Sequence, residues 1–321
     1  MSAKMDAISV VESPSLVKRV EILAKIVRYF WRFTSSDVVT FVVPNTVFGI
    51  CCALDGPPLV SGDHISIREV LWRIPAVVLF NWSNLLIFVL ANQRLWESVT
   101  EDQLNKPWRP IPQGLVTRTE VRLALQLLIP AILAINHCFL YVGAETACIL
   151  TGTWVYNDLK ASDDGWIQRN FIAALAFWVY NRSSLKVAIG GGGSSDAVIT
   201  PVGQLWVLVI SGVIMTTMHV QDLKDILGDK SRGRETAPIL LGERITRWTL
   251  AIPIFLWSPI CALFWGEWIA SIPAILIGFY VSYRCILRSG KDEDKWTWQV
   301  WCCWTALLSL MPLGHERWRR L

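Results

Sequence analysis

Charge is scarce in this chain. Asp, Glu, Lys and Arg make up 17% of its 321 residues, whereas a soluble domain carries about a quarter. Metal-type cysteine pairs are missing. The eight cysteines (Cys51, Cys52, Cys138, Cys148, Cys261, Cys285, Cys302 and Cys303) sit in or beside apolar runs, and none forms a CxxC pair. They read as small buried hydrophobes. The four histidines, His64, His137, His219 and His315, are scattered, which argues against a zinc site. The opening MSAKMDAISVVESPS has no apolar h-region and no small-residue cleavage site, so no signal peptide is expected. No nucleic-acid partner is expected either.

What the chain has instead is 53% hydrophobic residues, gathered into long blocks. A bilayer-crossing helix needs roughly 20 mostly apolar residues. Nine such blocks run over 37–54, 71–92, 119–136, 138–155, 167–189, 202–221, 246–265, 268–286 and 296–313. The expected fold class is therefore all-α, a polytopic membrane protein with nine transmembrane helices and the lipid bilayer as its partner. Residues 1–36 form an N-terminal segment, 37–313 the membrane catalytic domain and 314–321 a short tail. The fifth block holds Asn170, Asn181, Arg182 and Lys186, and intramembrane polar residues turn toward a bundle interior. A tight helical hairpin is expected near Asn136–His137, and a flexible loop at IGGGGSSD, because consecutive glycines do not hold a helix.

Orientation follows from Lys and Arg. In residues 15–33, Val20, Leu23, Val27, Phe30 and Trp31 recur at helical spacing beside Lys18, Arg19, Lys25, Arg28 and Arg32, which suggests a basic amphipathic helix on a membrane surface. With nine spans, the face shared by the N-terminus and the even-numbered loops carries 23 basic residues against 7 on the other. Basic residues mark the cytoplasmic side. The expected location is the endoplasmic reticulum, with the active face cytoplasmic.

Two loops on that face repeat one order of charges. The loop after the second block holds Glu97, Glu101 and Asp102, then Lys106 and Arg109. The loop after the sixth holds Asp222, Asp225 and Asp229, then Lys230, Arg232 and Arg234. Asp222, Asp225 and Asp229 are spaced i, i+3, i+7 and share one side of a helix. Clustered carboxylates repel one another unless a cation joins them, and Mg²⁺ takes one or two carboxylates plus phosphate oxygens. Lys and Arg alongside suit the outer phosphate oxygens. The alternative is a pair of solvated charged loops. Pro107, Pro110 and Pro112 stiffen the turn that carries Lys106 and Arg109. The repeated order, four spans apart, suggests an internal duplication.

On these two loops the chain resembles the UbiA superfamily of intramembrane prenyltransferases and terpene cyclases. The residues that carry the resemblance are Asp222-x-x-Asp225-x-x-x-Asp229 with Gly233, Arg234, Thr236 and Pro238, the run NKPWRP, and YNDLKASDDGWIQRN at 156–170. The first motif departs from the usual Asn-x-x-x-Asp-x-x-x-Asp. Counting back from Asp102 gives Ser98 and Arg94. This variant, with Asn92-Gln93 early and Glu101-Asp102 before NKPWRP, is similar to the fungal membrane-bound sesquiterpene cyclase branch.

The resemblance implies Mg²⁺ as cofactor, held by Glu101, Asp102, Asp222, Asp225 and Asp229, with Glu97 one turn from Glu101. It implies a prenyl diphosphate substrate, expected to be farnesyl diphosphate, with Asn92, Lys106, Arg109, Lys230 and Arg234 on the diphosphate. Tyr156, Asn157 and Asp158 are expected near the reacting carbons. Cyclisation to a sesquiterpene is the expected reaction. Transfer of a prenyl group to an aromatic or polyketide acceptor is the alternative, and a non-catalytic scaffold is a third reading that the intact second motif argues against. Aromatic side chains are plentiful (18 Trp, 12 Phe, 6 Tyr), and their faces stabilise cations.

Overall fold

An apolar run in lipid must satisfy its backbone internally, so a helix is its natural form. The computed structural model describes residues 16–62, 66–193 and 195–315. Each apolar block holds a helix there. In chain order the first half comprises α1 (Leu16–Thr34), α2 (Val42–Asp55), α3 (Ile67–Trp72), α4 (Ile74–Gln93), α5 (Trp96–Asn105), α6 (Arg118–Cys138), α7 (Gly143–Asn157) and α8 (Trp166–Ala188). The second half comprises α9 (Pro201–Thr217), α10 (Asp222–Arg232), α11 (Ala237–Leu240), α12 (Glu243–Trp265), α13 (Trp268–Leu287), α14 (Lys291–Leu310) and α15 (Pro312–His315).

Among the described residues, five helical runs are long and apolar enough to cross a membrane: 67–93, 118–138, 201–232, 243–265 and 268–287. In the third of these the apolar part is α9, and the charged α10 lies past its end. The remaining blocks fall short of that length-and-composition test. α2 is 14 residues long, because residues 37–41 of the first block form turns.

Helices α2 and α8 meet closely: a Cβ on Gly49 would lie 2.6 Å from the backbone of Ser184. Large aromatic side chains fill the core around them. Trp206 stacks on Phe264 at 5.3 Å and meets Trp265 edge-on at 5.2 Å. Two buried indoles find partners, with Trp301 Nε1 donating to Thr217 Oγ1 and Trp304 Nε1 to Ser258 Oγ. The polar residues of α8 do turn inward. Arg182 and Lys186 both donate to Glu145 of α7, at 3.0 and 2.9 Å.

The expected hairpin stands between α6 and α7, where Asn136 donates to Thr146 and the Val142 amide to the Asn136 carbonyl. The glycine-rich loop leads into something the sequence did not announce. A two-stranded antiparallel clasp joins β1 (Val60–Ser61) to β2 (Val198–Ile199), with Val60 opposite Ile199. Helix α1 presents Val20, Val27 and Trp31 to the outside and docks through its end, where Phe33 is buried and Trp82 of α4 donates to Thr34. The side chains of Lys18, Arg19 and Leu23, and residues 316–321 of the tail, lie outside the described residues.

Candidate active site

Both charged loops fold into short helices, α5 and α10, and these two pack on each other. Asn105 stitches them by donating to the Asp225 carbonyl at 3.0 Å. Gly228 lets them approach, since a Cβ there would run into the Asn105 amide. Pro107 ends α5, and Gly233, with φ of 79°, ends α10 in the left-handed conformation that suits glycine. That reversal brings Arg234 back onto its own helix, where its guanidinium donates to Asp229 at 3.1 Å.

A third loop completes the assembly. Asp163, between α7 and α8, accepts from Arg232 and from Arg234, each at 3.1 Å. Glu101 of α5 accepts from the same two arginines, at 3.2 and 2.9 Å. Arg232 also donates to Ser98 at 2.5 Å. Arg234 is therefore shared by Glu101, Asp163 and Asp229. The sequence reading aimed it at a diphosphate, whereas here its donors serve three carboxylates.

The two acidic motifs are treated differently. Arg109 clamps both oxygens of Asp102, at 2.8 and 3.0 Å, and reaches Asp37 at 2.8 Å with its other nitrogen. Asp102 and Arg109, expected on the metal and the diphosphate, pair with each other here. In α10, Asp222 accepts from Arg169 through one oxygen at 2.5 Å. Its second oxygen, and the second oxygen of Asp229, are buried with no hydrogen-bond partner. A buried lone carboxylate oxygen is costly and calls for a cation or a proton.

The electrostatics agree. Burial, with the charges of Asp222 and Glu101, pushes Asp229 up to about 7 against the pull of Arg169 and Arg234. Burial likewise raises Asp222 despite Arg169. Asp225 is pushed up by burial too, but Lys224 and Lys106 outweigh that and hold it below the ordinary carboxylate range. Among the described residues no three His, Cys, Asp or Glu side chains form a closed metal cage. An open site with two unpartnered oxygens fits a hard cation that keeps positions for water and phosphate.

Two cavities flank this network. One, of about 500 Å³, is polar and is lined by Lys106, Lys224, Asp225, Lys291 and Lys295 among others. Lys106 sits there 3.9 Å from Asp37, and Lys224 lies over the Trp298 ring at 4.9 Å and pairs with Asp225. The other, of about 220 Å³, is apolar and is walled by Phe41, Phe88, Tyr156, Trp178 and Tyr180 together with aliphatic residues. Phe88 meets Tyr156 at 5.4 Å and Phe41 at 6.0 Å. Tyr156 ties the apolar cavity to α10. Its hydroxyl accepts from Arg169 Nε at 3.1 Å, and the same guanidinium binds Asp222.

The remaining expected residues are placed as follows. Asn92 donates to Asn157 at 2.7 Å, and Asn157 donates to the Thr153 carbonyl. Asp158 pairs with Arg94, away from the cavities, and Glu97 with Lys160. Lys230 is exposed. Sequence reasoning singled out neither Arg169, Asp163, Lys224 nor Asp37. Asp163 had a readable signal, since it lies in another even-numbered loop of the same face. Arg169, at the start of an apolar block, had its charge and its place in the run 156–170 that carries the resemblance.

Comparison with known proteins fits this arrangement of helices and charged loops. The UbiA prenyltransferase family pattern matches residues 42–308. The chain belongs to that family. Its helices and the family together make it an integral membrane protein. Among UbiA relatives, somaliensene A/B synthase of Streptomyces somaliensis is 29% identical, over 86% of this chain and 89% of the relative. Diterpene cyclase eriG of Hericium erinaceus is 27% identical, over 91% of each. Polyprenyl transferase eriF of the same fungus is 28% identical, over 88% of this chain and 93% of that one. A UbiA homolog from Archaeoglobus fulgidus, solved bound to DMAPP and Mg²⁺, shares the fold with a TM-score of 0.59 at 12% identity, over 89% of this chain and 99% of that one.

Proposed function

We propose that this UbiA protein is a Mg²⁺-dependent membrane terpene cyclase that ionises farnesyl diphosphate and closes the chain to a sesquiterpene. The observation that carries the reading is the Tyr156–Arg169–Asp222 link, which ties an aromatic-walled cavity to α10, the helix that bears two unpartnered carboxylate oxygens. Asp222 and Asp229 hold the metal, whose chemistry is to draw charge from the departing diphosphate. Asp225, Lys106 and Lys224 present the polar chamber to that diphosphate, and Glu101 and Asp163 keep Arg232 and Arg234 rigid. Asn92, braced by Asn157, lies at the end of α4 on the same side.

The C1–oxygen bond breaks with both electrons going to pyrophosphate. The allylic cation is then captured by a distal double bond of its own chain. Loss of a proton to pyrophosphate restores neutrality. Phe41, Phe88, Trp178 and Tyr180 exclude water and share the positive charge. Nine spans, a cytoplasmic active face and residence in the endoplasmic reticulum complete the reading. The curated relatives named as synthase or cyclase support it.

Microsomes given farnesyl diphosphate and Mg²⁺ without an acceptor should release a cyclic hydrocarbon. The similarity to a polyprenyl transferase favours one second reading, prenyl transfer to an aromatic acceptor. No hydrocarbon without acceptor, together with a prenylated aromatic when one is added, decides for transfer.

A further inference from the structure

Helix α7 carries a glycine that its packing does not require. Gly152 lies in mid-helix, where glycine lowers helix stability. Gly49 and Gly228 sit where a Cβ would strike a neighbouring helix, but a Cβ on Gly152 meets nothing within 4 Å. Its φ is an ordinary one for an L residue, so backbone conformation does not call for glycine either. What Gly152 does touch is the apolar cavity, whose wall it forms with Cys148 and Tyr156. Residues 148, 152 and 156 are spaced i, i+4, i+8 and share one stripe of the helix. A side chain at 152 therefore projects into the space that Tyr156 and Cys148 border. Tyr156 is the cavity residue tied through Arg169 to Asp222, and Gly152 lies one helical turn back along α7, about 6 Å along the axis. Trp178 of α8 borders the same cavity.

We infer that Gly152 sets the longest prenyl chain this cavity accepts. The missing side chain leaves room for the distal isoprene unit, and a branched aliphatic group there shortens the chamber from within. The inference rests on the reading of this cavity as the seat of the prenyl chain.

The test measures Mg²⁺-dependent pyrophosphate release from geranyl, farnesyl and geranylgeranyl diphosphate, using the full-length protein in microsomes. Gly152→Ala and Gly152→Leu are compared with the wild type. We expect Gly152→Leu to lower kcat/KM for the longest chain it still binds by at least about tenfold relative to geranyl diphosphate, within the range a few methylenes command in an apolar pocket. Gly152→Ala, whose methyl enters open space, shifts the ratio the same way by less. Retained release from the shortest substrate shows that the variants are folded. Should Gly152→Leu not accumulate, the graded shift in Gly152→Ala still decides. Chain-length ratios unchanged in both variants would overturn the assignment while leaving the ionisation chemistry intact. No pyrophosphate from any of the three substrates with the wild type would instead remove the cyclase reading, and the assignment with it.

Discussion

Helices α5 and α10 carry acids in the same order and lie side by side, yet they use them differently. In α5 the most buried acid, Asp102, has both oxygens taken by Arg109. In α10, Asp222 and Asp229 each keep one oxygen bare. A paired carboxylate locks a fold together; a half-paired one in a buried place is left with capacity for a cation. Similar composition on neighbouring helices thus supports two jobs, and the arginines decide which.

The largest expected effect lies on α10. Asp229→Asn should lower turnover by roughly 10²–10³-fold, the loss typical of removing one electrostatic stabiliser. Arg234 keeps Glu101 and Asp163 as partners, so the protein should still insert and melt near the wild-type temperature. A variant with full activity would remove α10 as the metal helix. On α5 the pattern should invert. Asp102→Asn breaks a buried pair, which costs about 3 kcal/mol or more, so the melting temperature in detergent should fall while activity per folded molecule holds. Loss of Mg²⁺ response without loss of stability would instead place Asp102 among the ligands.

A pH series sharpens the same contrast. Asp229, raised to about 7 by burial, must shed its proton before it binds a cation. The apparent Mg²⁺ affinity should rise roughly tenfold between about pH 6 and 8, read from the Mg²⁺ dependence of turnover. Metal-free stability should move the other way. This carboxyl, raised by folding from an ordinary 3.8 to about 7, carries a proton in the folded but not the unfolded chain between those values, so its stabilising contribution is lost as pH rises toward 7 and the loss levels off above it. Gly228→Ala tests the seam between the helices. Its methyl meets the Asn105 amide and should cost about 1–3 kcal/mol, seen as a lower melting temperature. The smallest change is expected at Asp158. Its pair with Arg94 is partly exposed and is worth about 0–1 kcal/mol, so Asp158→Ala should leave turnover within about twofold of wild type.

Much of this architecture was legible in the sequence, for physical reasons. Apolar blocks of spanning length and the bilayer's demand for internal hydrogen bonds mark the helices. Prolines and glycines mark where α5 and α10 stop. The second motif was legible because carboxylates at i, i+3, i+7 have no comfortable arrangement without a cation. Pairing across loops was not legible. Nothing local tells that Arg109 turns to Asp102 and Asp37, or that Arg169 reaches Asp222 across 53 positions of chain. Those choices belong to tertiary geometry, as does the β1–β2 clasp, whose strands are two residues each.

The network around Arg234 also has a history in time. Glu101 leaves the ribosome 133 positions ahead of Arg234, and Asp163 leaves 71 positions ahead. At ordinary synthesis rates of 5–20 residues per second, Glu101 waits on the order of 10 s for its cations. A lone carboxylate does not enter a low-dielectric interior during that wait. The first half of the bundle is therefore held with its acidic rim in water until the second half arrives carrying the countercharge. Closure of the charged network thus waits for α10, and a chain truncated before it exposes Glu101 and Asp163 to solvent without the arginines that pair with them.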